Sequence, residues 1–306
     1  MENSMNHIFT GRFLQIILLT LACCHTAIAE EQFKDVEIKT IKAGDGIYML
    51  TGKGGNLGLS VGDDGVFLID DQFAPLTGKI QAAIARLSDK PVRFVLNTHW
   101  HPDHTGGNEN LGASGTTLVA HDNVRTRLSV DNFIEMFQLN APAMPKTGLP
   151  VITFNEAITF HINDNDIRAW HVEHAHTDGD AIVHFRQANV IHMGDTYFAS
   201  MYPFIDIGSG GSTEGCIRAI DQVLEIANGK TVIIPGHGSI SNRQELTAYR
   251  DMLKTISERI KVRLRKGASL EQIQADQVTA DFDAAYGAGF IKNEQFMEML
   301  YQDLSR

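Results

Sequence analysis

Cysteine is nearly absent from this chain of 306 residues: there are three, and two of them, Cys23 and Cys24, fall together near the start. If that start is removed, Cys216 stands alone and no intrachain disulfide can form, even in an oxidising compartment. Cys216 opens an apolar-periodic stretch and reads as a buried structural thiol. Basic charge is also scarce, with 26 Lys and Arg against 37 Asp and Glu, a net charge of −11. No basic stripe is visible, which argues against nucleic acid as a partner. Repeats, low-complexity tracts and long linkers are missing, and Gly208-Ser209-Gly210-Gly211-Ser212 is too short to separate domains.

Long apolar runs are absent as well. The segment Phe13–Cys24 is too short to span a bilayer. It follows Arg12 and precedes the small-x-small sequence Ala27-Ile28-Ala29, the order of a secretory signal peptide. The expectation is a leader over residues 1–29, a folded domain over 30–306, and a periplasmic or secreted protein with no stable membrane insertion after cleavage. Lipoprotein anchoring through Cys23 fits less well, because Thr20 departs from that pattern.

What is present in abundance is histidine, concentrated in one place. His99-Trp100-His101-Pro102-Asp103-His104 sets three imidazoles and a carboxylate within six residues. Clustered imidazoles buried without ligand roles would leave polar atoms unpaired. The preceding Pro91–Thr98 is apolar, aromatic and β-branched, so the cluster sits where a buried strand runs into a loop. In extended backbone His99 and His101 point to one side and can grip one ion. Pro102 fixes a turn that re-aims Asp103 and His104. Two aims suggest two ions, and nitrogen and oxygen donors without thiolate suit zinc first, with iron or manganese as alternatives.

Around this motif the chain alternates in two similar rounds. Val36–Lys42, Gly46–Thr51, Asn56–Val61 and Val66–Asp70 read as antiparallel hairpins with glycine-bearing turns between them. Leu76–Leu87 has helical spacing, and Thr117–Ala120 is a strand followed by a helix after Asp122. A second set of strands covers Ala157–Ile162, Ile167–Val172, Ala181–Phe185 and Val190–Met193. A helix over Gly215–Ala227, a strand at Thr231–Pro235 and a largely helical tail from Arg243 to Arg306 follow. Two rounds of this kind suggest an α/β fold with two sheets face to face and helices outside.

Three further signatures stand at predicted strand ends: His174-Ala175-His176-Thr177-Asp178-Gly179-Asp180, Gly194-Asp195-Thr196 and Gly236-His237-Gly238. With the His-x-His-x-Asp-His motif, in this order, they resemble the metallo-β-lactamase superfamily over roughly Gly46 to Gly238. The resemblance implies a four-layer αββα sandwich and two zinc ions. One ion would be held by His99, His101 and His176, the other by Asp103, His104 and His237, with Asp195 bridging. His176 is preferred to His174 because Thr and then Gly-Asp follow it, as they follow the family's ligand. Asp70 matches a carboxylate that braces a ligand histidine. His121, His161, His171, His184 and His192 match no motif and read as ordinary core or surface residues.

By the same resemblance the protein is a metal-dependent hydrolase. A metal-bound hydroxide would attack a carbonyl substrate, an ester, lactone, thioester or β-lactam, with Asp103 orienting it and moving a proton. One class of metallo-β-lactamases carries Cys at the position of Asp195 and a nearby Lys for the drug's carboxylate. Both are missing from Asp195-Thr196-Tyr197-Phe198, which argues against efficient lactam hydrolysis and favours hydroxyacylglutathione hydrolases, lactonases or phosphodiesterases of the superfamily. Export points the other way, since β-lactam targets are periplasmic. The alternatives are a metal-dependent phosphodiesterase, an iron-dependent oxidoreductase of the same fold, and a binding module without activity. A small molecule is the expected partner. Candidate substrate walls are Lys53–Asn56, Tyr197-Phe198 and Tyr202–Phe204, with a flap from Phe133, Met136, Phe137 and Met144.

Overall fold

The computed structural model describes residues 32–306, so the expected leader over 1–29 and the start of the mature chain lie outside the described residues. Residues up to Glu37 form one unit and Ile38–Arg306 another. In the first, a helical turn is closed by the Val36 N–H donating to the Phe33 carbonyl at 3.2 Å. Everything that follows belongs to the second.

Four antiparallel strands open it: β1 (Lys39–Gly44), β2 (Ile47–Thr51), β3 (Leu57–Gly62) and β4 (Gly65–Ile69). Helix α1 (Thr77–Ile84) then leads to β5 (Val92–Leu96), which pairs parallel to β4. Two short helices, α2 (Pro102–Thr105) and α3 (Asn108–Ala113), precede β6 (Thr117–His121) and α4 (Asp122–Leu128). A small hairpin of β7 (Asn132–Ile134) and β8 (Leu139–Ala141) follows. The strand β9 (Ile152–Phe154) then completes the first sheet, in the order β1-β2-β3-β4-β5-β6-β9.

The second sheet runs β10 (Ala157–Ile162), β11 (Asn165–His171), β12 (Ala181–Phe185) and β13 (Val190–His192), all antiparallel. After α5 (Thr213–Ile226), β14 (Val232–Ile234) adds in parallel to β13, and β15 (Ser241–Asn242) closes the edge. The tail is α6 (Arg243–Leu264), α7 (Leu270–Ala275), α8 (Ala280–Tyr286) and α9 (Asn293–Leu304).

Strand alternation decides what each sheet face touches. Phe67, Ile69, Leu96 and Val119 of the first sheet pack with Ile167, Val183, Val190 and Ile234 of the second. Their immediate neighbours Ile182, Ile191 and Ile233 face the other way and pack with Ile220 and Val223 of α5 and Leu253 and Ile256 of α6. On the first sheet Leu68, Val95 and Leu118 are equally buried, so both faces of each sheet are covered. Each such side chain contributes about 1.5–3 kcal/mol on leaving water. The result is the expected α/β fold of two packed sheets flanked by helices.

Several boundaries differ from the sequence reading. β1 begins at Lys39, and the helix expected over Leu76–Leu87 divides into a 3-10 turn at Ala74–Leu76 and α1, ending at Ile84. Strands β7, β8, β9 and β15 were not anticipated. None exceeds three residues, too few for any periodicity to register. The helical tail is broken at Gly267, whose φ is 77°, and again between α8 and α9, where Phe290 turns toward the site described next.

Candidate metal centre

The site gathers at one end of the strands. Asp70 follows β4, His99 and His101 follow β5, His176 follows β11, Asp195 follows β13 and His237 follows β14. β4 and β5 run parallel, as do β13 and β14, so their C-terminal ends open to one rim. The chain bends at Thr98, His99 and Trp100, returns to extended backbone at His101 (φ −63°, ψ 147°), and Pro102 opens α2, putting Asp103 in its first turn.

Two donor groups result: His99, His101, His176 and Asp195 form one, and Asp103, His104 and His237 the other. Asp195 joins them, its Oδ1 lying 3.1 Å from His104 Nε2 and its Oδ2 3.3 Å from His237 Nε2, 3.6 Å from His176 Nε2 and 3.8 Å from His99 Nε2. Asp103 Oδ2 is 3.4 Å from His237 Nε2. The structure thus brings all seven expected donors together, in the two expected groups. His174 stays outside, its Nδ1 donating to the Gly210 carbonyl at 2.9 Å.

Hydrogen bonds outside the cluster fix each ring. Asp70 accepts from the Thr98 N–H at 2.7 Å, from the Thr98 hydroxyl at 2.8 Å and from His104 Nδ1 at 2.7 Å. Because the Thr98 proton goes to Asp70, its oxygen accepts from His99 Nδ1 at 3.0 Å, and one carboxylate orients two imidazoles. Asp70 adopts a left-handed backbone (φ 58°), a strain of order 1 kcal/mol that these bonds offset. His176 Nδ1 donates to the Phe204 carbonyl at 2.9 Å, and His101 Nε2 donates to Asp206 Oδ2 at 3.0 Å. The stacked ring of Phe198, 5.2 Å away at an angle of 7°, supports His237.

Two glycines make the close approach possible. A Cβ at Gly55 would lie 2.1 Å from His104 Cε1, and one at Gly236 would lie 2.0 Å from Asp195 Oδ1. Asn56 ties the two loops together, donating to the carbonyls of Pro235 at 3.0 Å and Gly238 at 2.8 Å.

A cation fits this donor set. Nε2 of His99 is buried yet has no hydrogen-bond partner, an expensive condition for a polar atom unless it coordinates something, while Nε2 of His104 and Oδ1 of Asp195 form a buried pair 3.1 Å apart. Burial lowers His99 well below the usual imidazole range and His176 to about 4, so both are neutral and ready to donate a lone pair. For His104 and His237 burial works downward too, but Asp195 and Asp103 outweigh it, holding His104 well up and His237 at about 9. Asp103 is held at about 2 and Asp195 well below its ordinary value: burial opposes this, and His104 with His237 prevails. In the free protein these protons offset the carboxylates, and a bound cation would displace them.

A cavity of about 410 Å³ opens onto the cluster. His101, Asp103, Asp195 and His237 form its floor, and Lys53, Gly54, Phe73, Ile134, Phe137, Leu139, Phe204 and Phe290 are among its walls. Lys53, Gly54 and Phe204 were anticipated as walls and Phe137 as part of a flap. Tyr197 is a correction. It is 2 % exposed, its hydroxyl bonds Ser241 Oγ at 2.7 Å and its ring packs on Tyr249 at 4.9 Å, so it is core and does not line the cavity. Proximity in sequence to Asp195 was a poor guide because the 3-10 turn at Gly194–Thr196 directs the next side chain inward. Phe133 is exposed outside the cavity, and Met136 and Met144 pack on the core.

Sequence reasoning missed Asp206 and Phe290. The only signal for Asp206 is an acid inside the apolar stretch Tyr202–Ile207. The remaining histidines are not among the donors: His121 stacks on His171 at 3.8 Å, His161 pairs with Asp166 at 2.6 Å, and His192, close enough to feel the charges of Asp70, His104 and Asp195, donates to the Asn56 carbonyl at 3.1 Å.

Comparison with known proteins agrees with this geometry. A family described as the metallo-beta-lactamase superfamily matches residues 50–237. A hydroxyacylglutathione hydrolase of Polaromonas sp. (strain JS666 / ATCC BAA-500) is 26 % identical over 184 residues, covering 58 % of this chain and 60 % of that protein. Another, of Erythrobacter litoralis (strain HTCC2594), is 26 % identical over 139 residues, 45 % of this chain and 44 % of that protein. The chain therefore spans less than two thirds of the curated relatives it matches. Among solved structures, the inverting sec-alkylsulfatase Pisa1 from Pseudomonas sp. overlays 87 % of this chain and 50 % of its own, with a TM-score of 0.67 at 16 % identity. DIM-1 metallo-beta-lactamase overlays 72 % of this chain and 99 % of its own, with a TM-score of 0.58 at 17 % identity. At such identities the two structures speak to fold alone.

Proposed function

The chain belongs to the metallo-β-lactamase superfamily, and from its site we propose an exported, dinuclear zinc-dependent hydrolase acting on a carbonyl substrate. The observation that carries this reading is the convergence of seven donor side chains into two adjoining groups, with His99 Nε2 buried among them without a hydrogen-bond partner. His99, His101 and His176 would hold one cation and Asp103, His104 and His237 the other, with Asp195 shared. Bound there, divalent cations supply Lewis acidity toward a substrate oxygen and lower the pKa of coordinated water.

The chain's own residues do the rest. Asp70, Asp206 and the Phe204 carbonyl each hold a ring proton on the far side of an imidazole, so that its other nitrogen faces the cluster. Asp103 belongs to the donor set and also lines the cavity floor, with its side chain 24 % exposed. Its carboxylate would orient the attacking water and pass a proton to the leaving group.

The two hydroxyacylglutathione hydrolases support an acyl substrate, and the Asp at 195 supports a hydrolase other than an efficient β-lactamase. Export rests on the sequence of residues 12–29. The test is metal analysis of protein purified without added metal, followed by chromogenic ester, lactone, thioester, β-lactam and phosphodiester substrates with Asp103→Ala as control. Two zinc equivalents with carbonyl turnover lost in Asp103→Ala support the reading. Iron with redox activity, or phosphodiester turnover alone, overturns it.

A further inference from the structure

Beside the metal ligands the cavity wall is built from apolar rings, two of which, Phe137 and Phe290, remain open to water. Phe137 meets Phe204 edge to face at 4.8 Å and approaches Phe290 at 6.3 Å, while Phe290 stands 5.4 Å from the His237 ring. These residues come from three separate parts of the chain: the β7–β8 hairpin, the loop after β13 and the turn between α8 and α9. Phe290 lies beyond the stretch that matches the family, so the helical tail brings an element of its own to the cavity. Phe290 is 47 % exposed, Phe137 44 % and Leu139 41 %. Scattered apolar residues need no explanation, but three exposed ones lining the same cavity mark a binding surface.

Polarity narrows the ligand. Among the described lining residues Lys53 is the only lysine or arginine, and the acidic side chains are Asp103 and Asp195 at the floor. A glutathione thioester, with two carboxylates on its thiol half, would meet one lysine and a row of phenyl rings. An alkyl or aryl chain would bury those rings and itself at once.

Building on the hydrolase reading, we propose that Phe137, Leu139 and Phe290 clamp the apolar chain of the substrate, making the preferred substrates esters or lactones that carry medium-length alkyl or aryl groups. A chain held by these side chains lies in the same cavity as Asp103 and His237, with Phe290 directly beside the His237 ring.

The test uses zinc-loaded protein with p-nitrophenyl acetate, butyrate, hexanoate and octanoate. kcat/KM is expected to rise roughly fourfold for each methylene that enters the clamp. In Phe290→Ala the octanoate-to-acetate ratio is expected to fall by about tenfold or more, with Phe290→Leu recovering most of it. Phe133→Ala, on the same hairpin but outside the cavity, keeps the wild-type ratio. Acetate turnover with a flat or falling chain dependence overturns the clamp and leaves the hydrolase reading standing, as does a preference for the glutathione thioester of the same acyl group. If no ester is turned over, the hydrolase reading fails for this class, and the clamp is judged by calorimetry with the free carboxylates. Octanoate binding at least about tenfold tighter than butyrate, roughly fourfold for each methylene that enters the clamp, with the difference lost in Phe290→Ala, supports the clamp. Equal binding overturns it.

Discussion

His101 Nδ1 and His176 Nε2 face each other across 2.9 Å, and each ring has its other nitrogen already donating, to Asp206 and to the Phe204 carbonyl. In the neutral rings two lone pairs therefore point into the same small space. That arrangement is repulsive until a proton or a cation lies between them.

Asp206 sets this geometry, so its loss is expected to loosen the first cation. Asp206→Ala should weaken zinc binding by about 10–100-fold, read by competition with a chromogenic chelator. Asp206→Asn, which keeps an acceptor oxygen, should retain part of the affinity. An unchanged affinity in Asp206→Ala would remove the residue from the site.

Chelation should destabilise the protein. With free metal about a thousandfold above its dissociation constant, binding contributes about 4 kcal/mol to the folded state. For a chain of this size that corresponds to a melting temperature roughly 10 °C lower after EDTA treatment, restored by zinc. Calorimetry without restoration by any divalent ion would count against a metal centre.

Asp103→Asn keeps the shape of the side chain but removes its charge. Turnover is expected to fall about 10²–10⁴-fold, with KM changed far less, because the group is needed for proton movement more than for holding substrate. Steady-state kinetics on whichever substrate is accepted separates the two parameters.

Gly55→Ala should act on the second donor group alone, since the added Cβ strikes the His104 ring. Zinc titration is expected to show one site weakened and one nearly intact. Equal loss at both sites would show that the Gly55 loop supports the whole cluster.

Asp180, which is not one of the seven donors, offers a further pH dependence. Its carboxylate accepts the Thr177 N–H and hydroxyl, both at 2.7 Å, yet burial lifts its pKa to about 7. An unfolded Asp titrates near about 3.9. The native chain keeps the proton where the unfolded chain has lost it, so this contribution is full below about pH 4 and is lost as pH rises through about 7. Urea unfolding of metal-free protein should show wild type losing stability relative to Asp180→Asn across that window. A pH-independent difference would contradict the shift.

Much of this site could be read from the chain because local geometry sets it. His99 and His101 fall in one donor group and Asp103 and His104 in the other, on either side of Pro102, as their spacing in the sequence suggests, although the backbone bends at Thr98, His99 and Trp100 where extended chain was expected. Asp206 could not be read so. It lies 105 positions from His101, in a segment with no motif, and only the packing of the loop after β13 brings it to that ring. Tyr197 misled for the complementary reason, because adjacency to a ligand says nothing about which way a turn sends the next side chain.

The sequence alone determined the donor chemistry, the alternation that makes two sheets, and the metal-binding pattern, since these depend on residue type and on periods of two to four positions. Tertiary structure alone decided which carboxylates brace which rings, and that a hairpin and a C-terminal turn supply the cavity's phenyl walls. Those contacts join residues far apart in the chain, and their geometry follows from how the layers pack rather than from any local preference.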